Sequence, residues 1–376
     1  MSTKKASAPR FNKNSVKEFW PHAAAVVFGV AAIVLVGWFG LPSFSVTYAE
    51  TATTTPVAWA PPPLDKAAYD TRLLALAHVA TSSPWYQAFL MGTTTASTTI
   101  ARPTWPVIRA YPADGRAILP FNRVVAYYGN FYSKQMGVLG EYPKDVVLAK
   151  LASTTAAWRA ADPSTPVVPA IEYIDVTAQA AAGKDGKYRA RMSDTQIDKA
   201  LEYAKAVNGI VILDIQVGLS SLPEELPLIQ KYLAMPNVHL AVDPEFAMHN
   251  GTPPGRVIGT MSADDINFAA QYLANLVRTY NLPPKILVVH RFTLGMVTKV
   301  ANIKPLPEVQ VVMQMDGWGS YLRKTNTYNV VIAPEPVQFT GFKLFYKNDL
   351  KEVPPRLMTP QEVLNLTPSP IFIQYQ

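Results

Sequence analysis

The chain has 376 residues, 49% apolar and 16% charged, with 15 Phe, 18 Tyr and 7 Trp, which supplies a sizeable core and excludes wholesale disorder. Its net charge is +7, but the first 18 residues set Lys4, Lys5, Arg10, Lys13 and Lys17 against Glu18, so only +3 remains for the body. That excludes a basic nucleic-acid-binding stripe, and the absence of Cys excludes disulfides, thiolate metal sites, thiol nucleophiles and an acylated N-terminal Cys.

Residues 23–41, AAAVVFGVAAIVLVGWFGL, form 19 residues without a charge. At 1.5 Å per residue such a helix spans about 30 Å of hydrocarbon. Trp20 and Trp38 stand near its ends, where amphipathic rings favour the membrane interface. The basic cluster precedes it, so residues 1–22 are expected as a cytoplasmic tail and everything after residue 42 outside. A cleaved signal peptide is the rival, with Thr47-Tyr48-Ala49 as a mediocre cleavage site. The expected partner of this segment is the lipid bilayer, and the expected location is a single-pass cell-membrane protein.

Residues 42–121 read as an extracytoplasmic linker. It is rich in Ser, Thr, Ala and Pro and is stiffened at Pro61-Pro62-Pro63. Within it, residues 64–80 carry a short amphipathic helical pattern.

From Arg123 onward, β-branched and aromatic runs alternate with helical patterns. The expected strands are 123–129, 167–174, 210–216, 238–243, 285–290, 309–316, 340–346 and 371–375. The expected helices are 143–161, 194–207, 223–234, 262–280, 294–302 and 360–366, with 317–339 the least regular connection. Eight apolar strands with crossovers predict an α/β fold, a TIM-type (β/α)8 barrel over residues 122–376. An open doubly wound sheet is the rival, but no Gly-rich phosphate turn follows the first strand.

Active sites of such barrels lie at the C-terminal strand ends, and polar residues gather there. The candidates for catalysis are Asp214, Asp243, Glu245 and Asp316; those for substrate binding are Tyr128, Glu141, Glu172, Tyr173, Gln216, His290, Trp318 and Lys343. Each has a plainer reading. Asp243-Pro244-Glu245 fits a turn, Asp316 before Gly317-Trp318-Gly319 fits an Asx-turn, and His290 fits an ordinary interior histidine. A carboxylate closing an apolar strand is nevertheless costly unless paired or used.

Paired carboxylates with aromatics nearby suit acid/base cleavage of a glycosidic bond. Asp214 and Asp243 close adjacent strands, compatible with a retaining separation of about 5 Å, and Glu245 suits a proton donor. The expected partner is thus an envelope carbohydrate. Two other classes remain open. One is glycan binding without cleavage. The other is metal-assisted chemistry, in which Asp214, Asp243, Glu245, His290 and Asp316 supply a divalent-ion site; neither HExxH nor HxH spacing points to zinc. No other cofactor is expected.

Several stretches form a recognisable set: YYGNFYSKQMGVLGEYP (127–143), ILDIQVG (212–218), LAVDPEF (240–246), KILVVHRFT (285–293), MDGWG (315–319), GFKLFY (341–346) and FIQY (372–375). Together they resemble, over about residues 122–376, a family of exported bacterial proteins without an assigned activity, many of them lipoproteins. The resemblance implies an envelope-tethered, glycosidase-like barrel. A lipoprotein needs an acylated Cys, so here the membrane helix must do the tethering. Residues 209–216 are also similar to a chitinase-type strand ending in Asp-x-Asp-x-Glu, but Gln216 stands in this chain as the last polar residue, which tells against that mechanism.

Overall fold

The computed structural model describes residues 60–80, 82 and 110–376. The expected membrane span at 23–41, the tail before it and the first part of the linker lie outside the described residues. Among the described residues no helix is long and apolar enough to cross a membrane.

The order of elements begins with α1 (Lys66–Leu76), β1 (Arg123–Gly129), α2 (Val138–Glu141), α3 (Lys144–Ala161) and β2 (Val167–Ala178). It continues with β3 (Arg189–Arg191), α4 (Asp194–Ala206), β4 (Ile210–Ile215), α5 (Leu222–Glu225), α6 (Gln230–Leu233) and β5 (Val238–Val242). Then come β6 (Met261–Ser262), α7 (Ala263–Tyr280), β7 (Lys285–Arg291), β8 (Val297–Thr298) and β9 (Val309–Met315). The chain ends with α8 (Tyr321–Thr327), β10 (Phe339–Leu344), α9 (Pro360–Leu364) and β11 (Phe372–Tyr375).

The strands β1, β2, β4, β5, β7, β9, β10 and β11 pair in parallel in that order, and β11 pairs back onto β1. The sheet is therefore a closed eight-stranded barrel and not an open doubly wound sheet. Strand alternation divides its side chains into two cores. Val125, Tyr127, Tyr173, Leu213, Val289 and Met313 face outward into the layer shared with the helices. Val124, Ala126, Ala170, Ile212, Ala241, Val288 and Phe372 face inward.

The lower end of the inner core is closed by the segment preceding the barrel. Tyr69, Leu73 and Leu76 of α1 and Leu119 join the inward residues in one cluster. The side-chain amide of Gln310 on β9 bonds the backbone of Leu119. The compact unit consequently runs from Ala60 to Gln376, with α1 packed as a floor inside the stretch that reads as linker. Burial of Tyr69, Leu73 and Leu74 stabilises this floor by roughly 1.5–3 kcal/mol each.

Three connections differ from their sequence patterns. The helix expected at 223–234 is broken into α5, a 3-10 turn and α6, because Pro227 has no N–H for an interior helical bond. The helix expected at 294–302 is two 3-10 turns around β8, where the β-branched Val297 and Thr298 pair with β6. Strand β2 runs on to Ala178 through a bulge beside Asp175 and pairs with the antiparallel β3. The irregular 317–339 connection contains α8, which passes into a π turn at Tyr328–Ile332.

Candidate active site

The inward face changes character along the barrel. Its lower layers are Val, Ala, Ile and Phe; its upper layers are Tyr128, Glu172, Asp214, Gln216, Asp243, His290, Gln314, Asp316, Lys343 and Gln374, all buried. Above them opens a cavity of about 590 Å³. Asp243, Glu245, Asp316, Lys343, Gln216, Tyr128 and Trp318 reach its wall, with Phe246, Phe292 and Phe345 as apolar surface. Asp214, Glu172 and His290 do not; they form the layer beneath.

Two chains of contacts hold these groups. In the first, the Tyr128 hydroxyl donates to Asp214 Oδ2 at 2.7 Å. Gln216 Nε2 donates to that hydroxyl at 3.3 Å and to Asp243 Oδ2 at 3.4 Å, while Gln216 Oε1 accepts from Ala178 N. Asp243 Oδ1 caps the following 3-10 turn by accepting from Glu245 N at 3.1 Å, which places Glu245 on the cavity wall. In the second chain, Lys343 Nζ lies 2.8 Å from Asp316 Oδ1, His290 Nδ1 lies 3.1 Å from Asp316 Oδ2, and His290 Nε2 lies 3.3 Å from Glu172 Oε1. Lys343 Nζ also stands 4.0 Å from the centre of the Tyr128 ring, joining the two chains.

Burial and neighbouring charge drive the carboxyls apart. Burial pushes Asp243 well above the usual carboxylate range, with Asp214, Asp316 and Glu245 adding to it against the pull of His290. Burial, helped by Asp316, lifts Glu245 to about 7. Burial lifts Asp214 to about 6 despite His290. Asp316 goes the other way: burial opposes its charge, but Lys343 and His290 hold it at about 2. At neutral pH one cavity wall thus carries protonated or half-protonated acids facing an ionised one.

Two of the expected binding residues lie elsewhere. Tyr173 points outward, stacked on Phe131 at 4.9 Å, because its neighbour Glu172 takes the inward position and alternation turns Tyr173 out. Glu141, at the end of α2, pairs with Lys347 at 2.8 Å and lines a separate cavity of about 60 Å³. Tyr127 likewise faces outward, bonding Thr154 and Tyr346. Asp175 sits on the β2 bulge, where burial and then Glu225 raise it to about 7, and it does not line the main cavity. Trp318 reaches the rim with 43% of its surface exposed; the Arg323 guanidinium lies 5.3 Å from its ring.

Other lining residues were open to the period of two. Ile174, Phe292 and Phe345 each stand two positions beyond an inward strand residue and continue that face. Gln376 likewise stands two positions beyond the inward Gln374, whereas Gln135 and Arg323 come from connections, with no strand period to announce them. The Gln314 amide comes close to Gly341, where an added Cβ would stand 1.8 Å from Oε1 and 3.0 Å from the Phe372 carbonyl, so the buried Gln314 fits only beside glycine. Among the described residues no group of three or more His, Asp and Glu is arranged to hold a metal ion.

Neither a protein-family model nor a curated protein matches the chain. Among solved structures it is similar to a cellulase, at 12% identity over 59% of this chain and 65% of that one, with a TM-score of 0.33. It is also similar to a hyperthermophilic endo-β-1,4-glucanase, at 9% identity over 68% of this chain and 89% of that one, with a TM-score of 0.37. The catalytic domain of a hyperthermophilic chitinase from Pyrococcus furiosus gives 14%, 68%, 83% and 0.36 for the same measures. Similarity at this level says nothing of the chemistry, which has to come from the side chains.

Proposed function

We propose that the barrel hydrolyses a glycosidic bond of an envelope carbohydrate. The observation that carries this reading is that Glu245 and Asp316 line one open cavity in unlike surroundings: Lys343 and His290 contact Asp316 and favour its charge, while burial and Asp316 raise Glu245. Glu245 gives its proton to the leaving oxygen as the bond to the anomeric carbon breaks. Asp316, ionised, faces the positive charge that develops on the sugar ring. Water then adds to the anomeric carbon and returns a proton to the Glu245 carboxylate, which restores the starting state. Asp243, whose oxygens accept from Gln216 Nε2 and Glu245 N, holds Glu245 in place beside the sugar. Phe246, Phe292, Phe345 and the exposed Trp318 suit the apolar faces of pyranose rings.

The same proposal sets the barrel outside the cell membrane, tethered through residues 23–41. Its support is the uncharged 19-residue segment behind a basic cluster, together with the resemblance to exported proteins. The test is a screen of the protein against envelope polysaccharides and peptidoglycan, measuring binding and product release with and without a chelator. Turnover that survives chelation and is lost in Glu245→Gln supports the proposal. Binding without turnover favours the non-catalytic glycan-binding reading, and turnover abolished by chelation favours the metal reading. Neither binding nor turnover on any glycan removes it.

A further inference from the structure

The contacts of His290 impose a proton count. Its ring is fully buried, and both nitrogens face carboxylates: Nδ1 toward Asp316 Oδ2 at 3.1 Å, Nε2 toward Glu172 Oε1 at 3.3 Å. A neutral imidazole has one N–H and one lone pair. The Nε2 approach is too bent for a hydrogen bond, so among the described residues neither Glu172 oxygen has a hydrogen-bond donor, and the contact is an ion-pair distance only. A neutral ring would leave this buried carboxylate with no opposite charge beside it, and a second proton on the trio Glu172, His290 and Asp316 removes that cost.

Nδ1 takes the first, because it lies within hydrogen-bond distance of Asp316 Oδ2 and an ionised carboxylate can only accept. The second lies between Nε2 and Glu172, and two features send it to the imidazole. The intrinsic affinity of histidine for a proton exceeds that of glutamate by about two pKa units. Asp316, in direct contact with the ring, adds an attraction that Glu172 does not receive in return.

Charge balance agrees. Lys343 and His290 are two cations, and Asp316 and Glu172 are the two anions that touch them. The other groups facing His290 are Tyr128, whose ring lies 6.0 Å away, and the carboxyls Asp214, Asp243 and Glu245 from the neighbouring strand ends. Of these, Asp214, lifted only to about 6, is largely ionised at pH 7 and adds a further attraction to a proton on the ring. Tyr128 cannot serve Glu172 instead, since its hydroxyl is committed to Asp214.

We infer that Glu172 is a positioning residue: it holds the second proton on His290, and His290 with Lys343 thereby keeps Asp316 a carboxylate at the cavity wall. Glu172 itself does not line the cavity and touches no substrate. It acts from beneath, as a counter-ion two contacts away from the cavity. The consequence for catalysis rests on the proposed role of Asp316; the protonation of His290 stands without it.

The experiment is histidine-selective 15N labelling of the full chain, read by solid-state NMR with no substrate present. The chain has 5 His, and His290 is assigned as the signal lost in His290→Asn. At pH 7 both ring nitrogens of His290 should be protonated, and they should remain so to pH 8. In Glu172→Gln the amide can donate to Nε2, so one of the two ring-proton signals should disappear. A singly protonated His290 at pH 7 in the wild type overturns the inference, even if Glu172→Gln fails to fold. A doubly protonated His290 in a folded Glu172→Gln overturns the part assigned to Glu172. Failure of every glycan to be cleaved would remove the proposed hydrolysis but leave these signals as they are, so the two failures are distinguishable.

Discussion

Tyr128 donates its phenolic hydrogen to Asp214 Oδ2 at 2.7 Å, yet only Tyr128 reaches the cavity, while Asp214 lies sealed below it. Asp214 Oδ1 makes no hydrogen bond to the described residues. The register places Asp214 opposite Ala241, so Asp243 stands one inward layer higher. Asp214 is thus turned toward Tyr128 and lies in the layer beneath the cavity wall.

Removal of this contact should be felt first in folding. Tyr128→Phe leaves a buried carboxyl without its donor, which costs roughly 1–3 kcal/mol. Urea unfolding of the variant against wild type measures the loss. An unchanged midpoint would show that Asp214 finds another donor.

Catalysis should follow the protonation of Glu245. With its carboxyl at about 7, the acid form fades as pH rises through that value, so the rate should fall on the alkaline side. Glu245→Gln should lower kcat by roughly 10²–10⁴, the range for a lost general acid. Stability has its own pH dependence. Folded Glu245 binds protons more tightly than in the unfolded chain, so its contribution is best below about pH 4.5 and is lost as pH rises toward about 7. Asp316 works in the opposite sense. Its contribution is present above about pH 4 and is lost as pH falls toward about 2. Thermal midpoints of Glu245→Gln and Asp316→Asn across this pH range separate the two.

The period of two makes much of this wall readable in the sequence. Asp214 with Gln216, and Gln314 with Asp316, share a face by spacing alone, and the structure turns both pairs inward. The same rule forbids Glu172 and Tyr173 from sharing the mouth, but which one enters depends on the phase of β2, fixed by pairing with β1 and β4. Glu245 lies past its strand, and its place depends on a turn capped by Asp243. The floor is less legible still. Tyr69 and Leu73 meet inward residues such as Phe372 some 300 positions later, a contact that no local pattern announces.

That floor gives a prediction about the boundaries of the folding unit. A protein spanning residues 60–376 should unfold cooperatively, whereas one spanning 122–376 uncovers the lower inner core and should aggregate or bind a hydrophobic dye. Leu73→Ala in the longer protein should cost about 2–5 kcal/mol, as for a buried leucine. Equal unfolding midpoints for the two lengths would show that α1 is dispensable.

The rim has its own support in the buried ion pair of Lys324 and Asp349, whose nitrogen and oxygen stand 2.9 Å apart. Lys324 Nζ also donates to the carbonyls of Gly317 and Lys343, and Asp349 accepts from the backbone of Gly319 and Phe345. One ion pair therefore fastens both sides of Trp318 to the end of β10, the strand that carries Lys343. Lys324→Met leaves Asp349 charged and buried without its partner, so about 3–5 kcal/mol should be lost. Lys324→Met/Asp349→Leu removes the stranded charge and should recover only part, because the Gly319 and Phe345 amides then lack an acceptor. Since Trp318 is an exposed apolar surface on the cavity rim and carries no titratable group, the folded double variant should show a raised KM for a glycan with kcat little changed. A kcat loss without a change in KM would mean that the ion pair serves the position of Lys343 instead of the Trp318 wall.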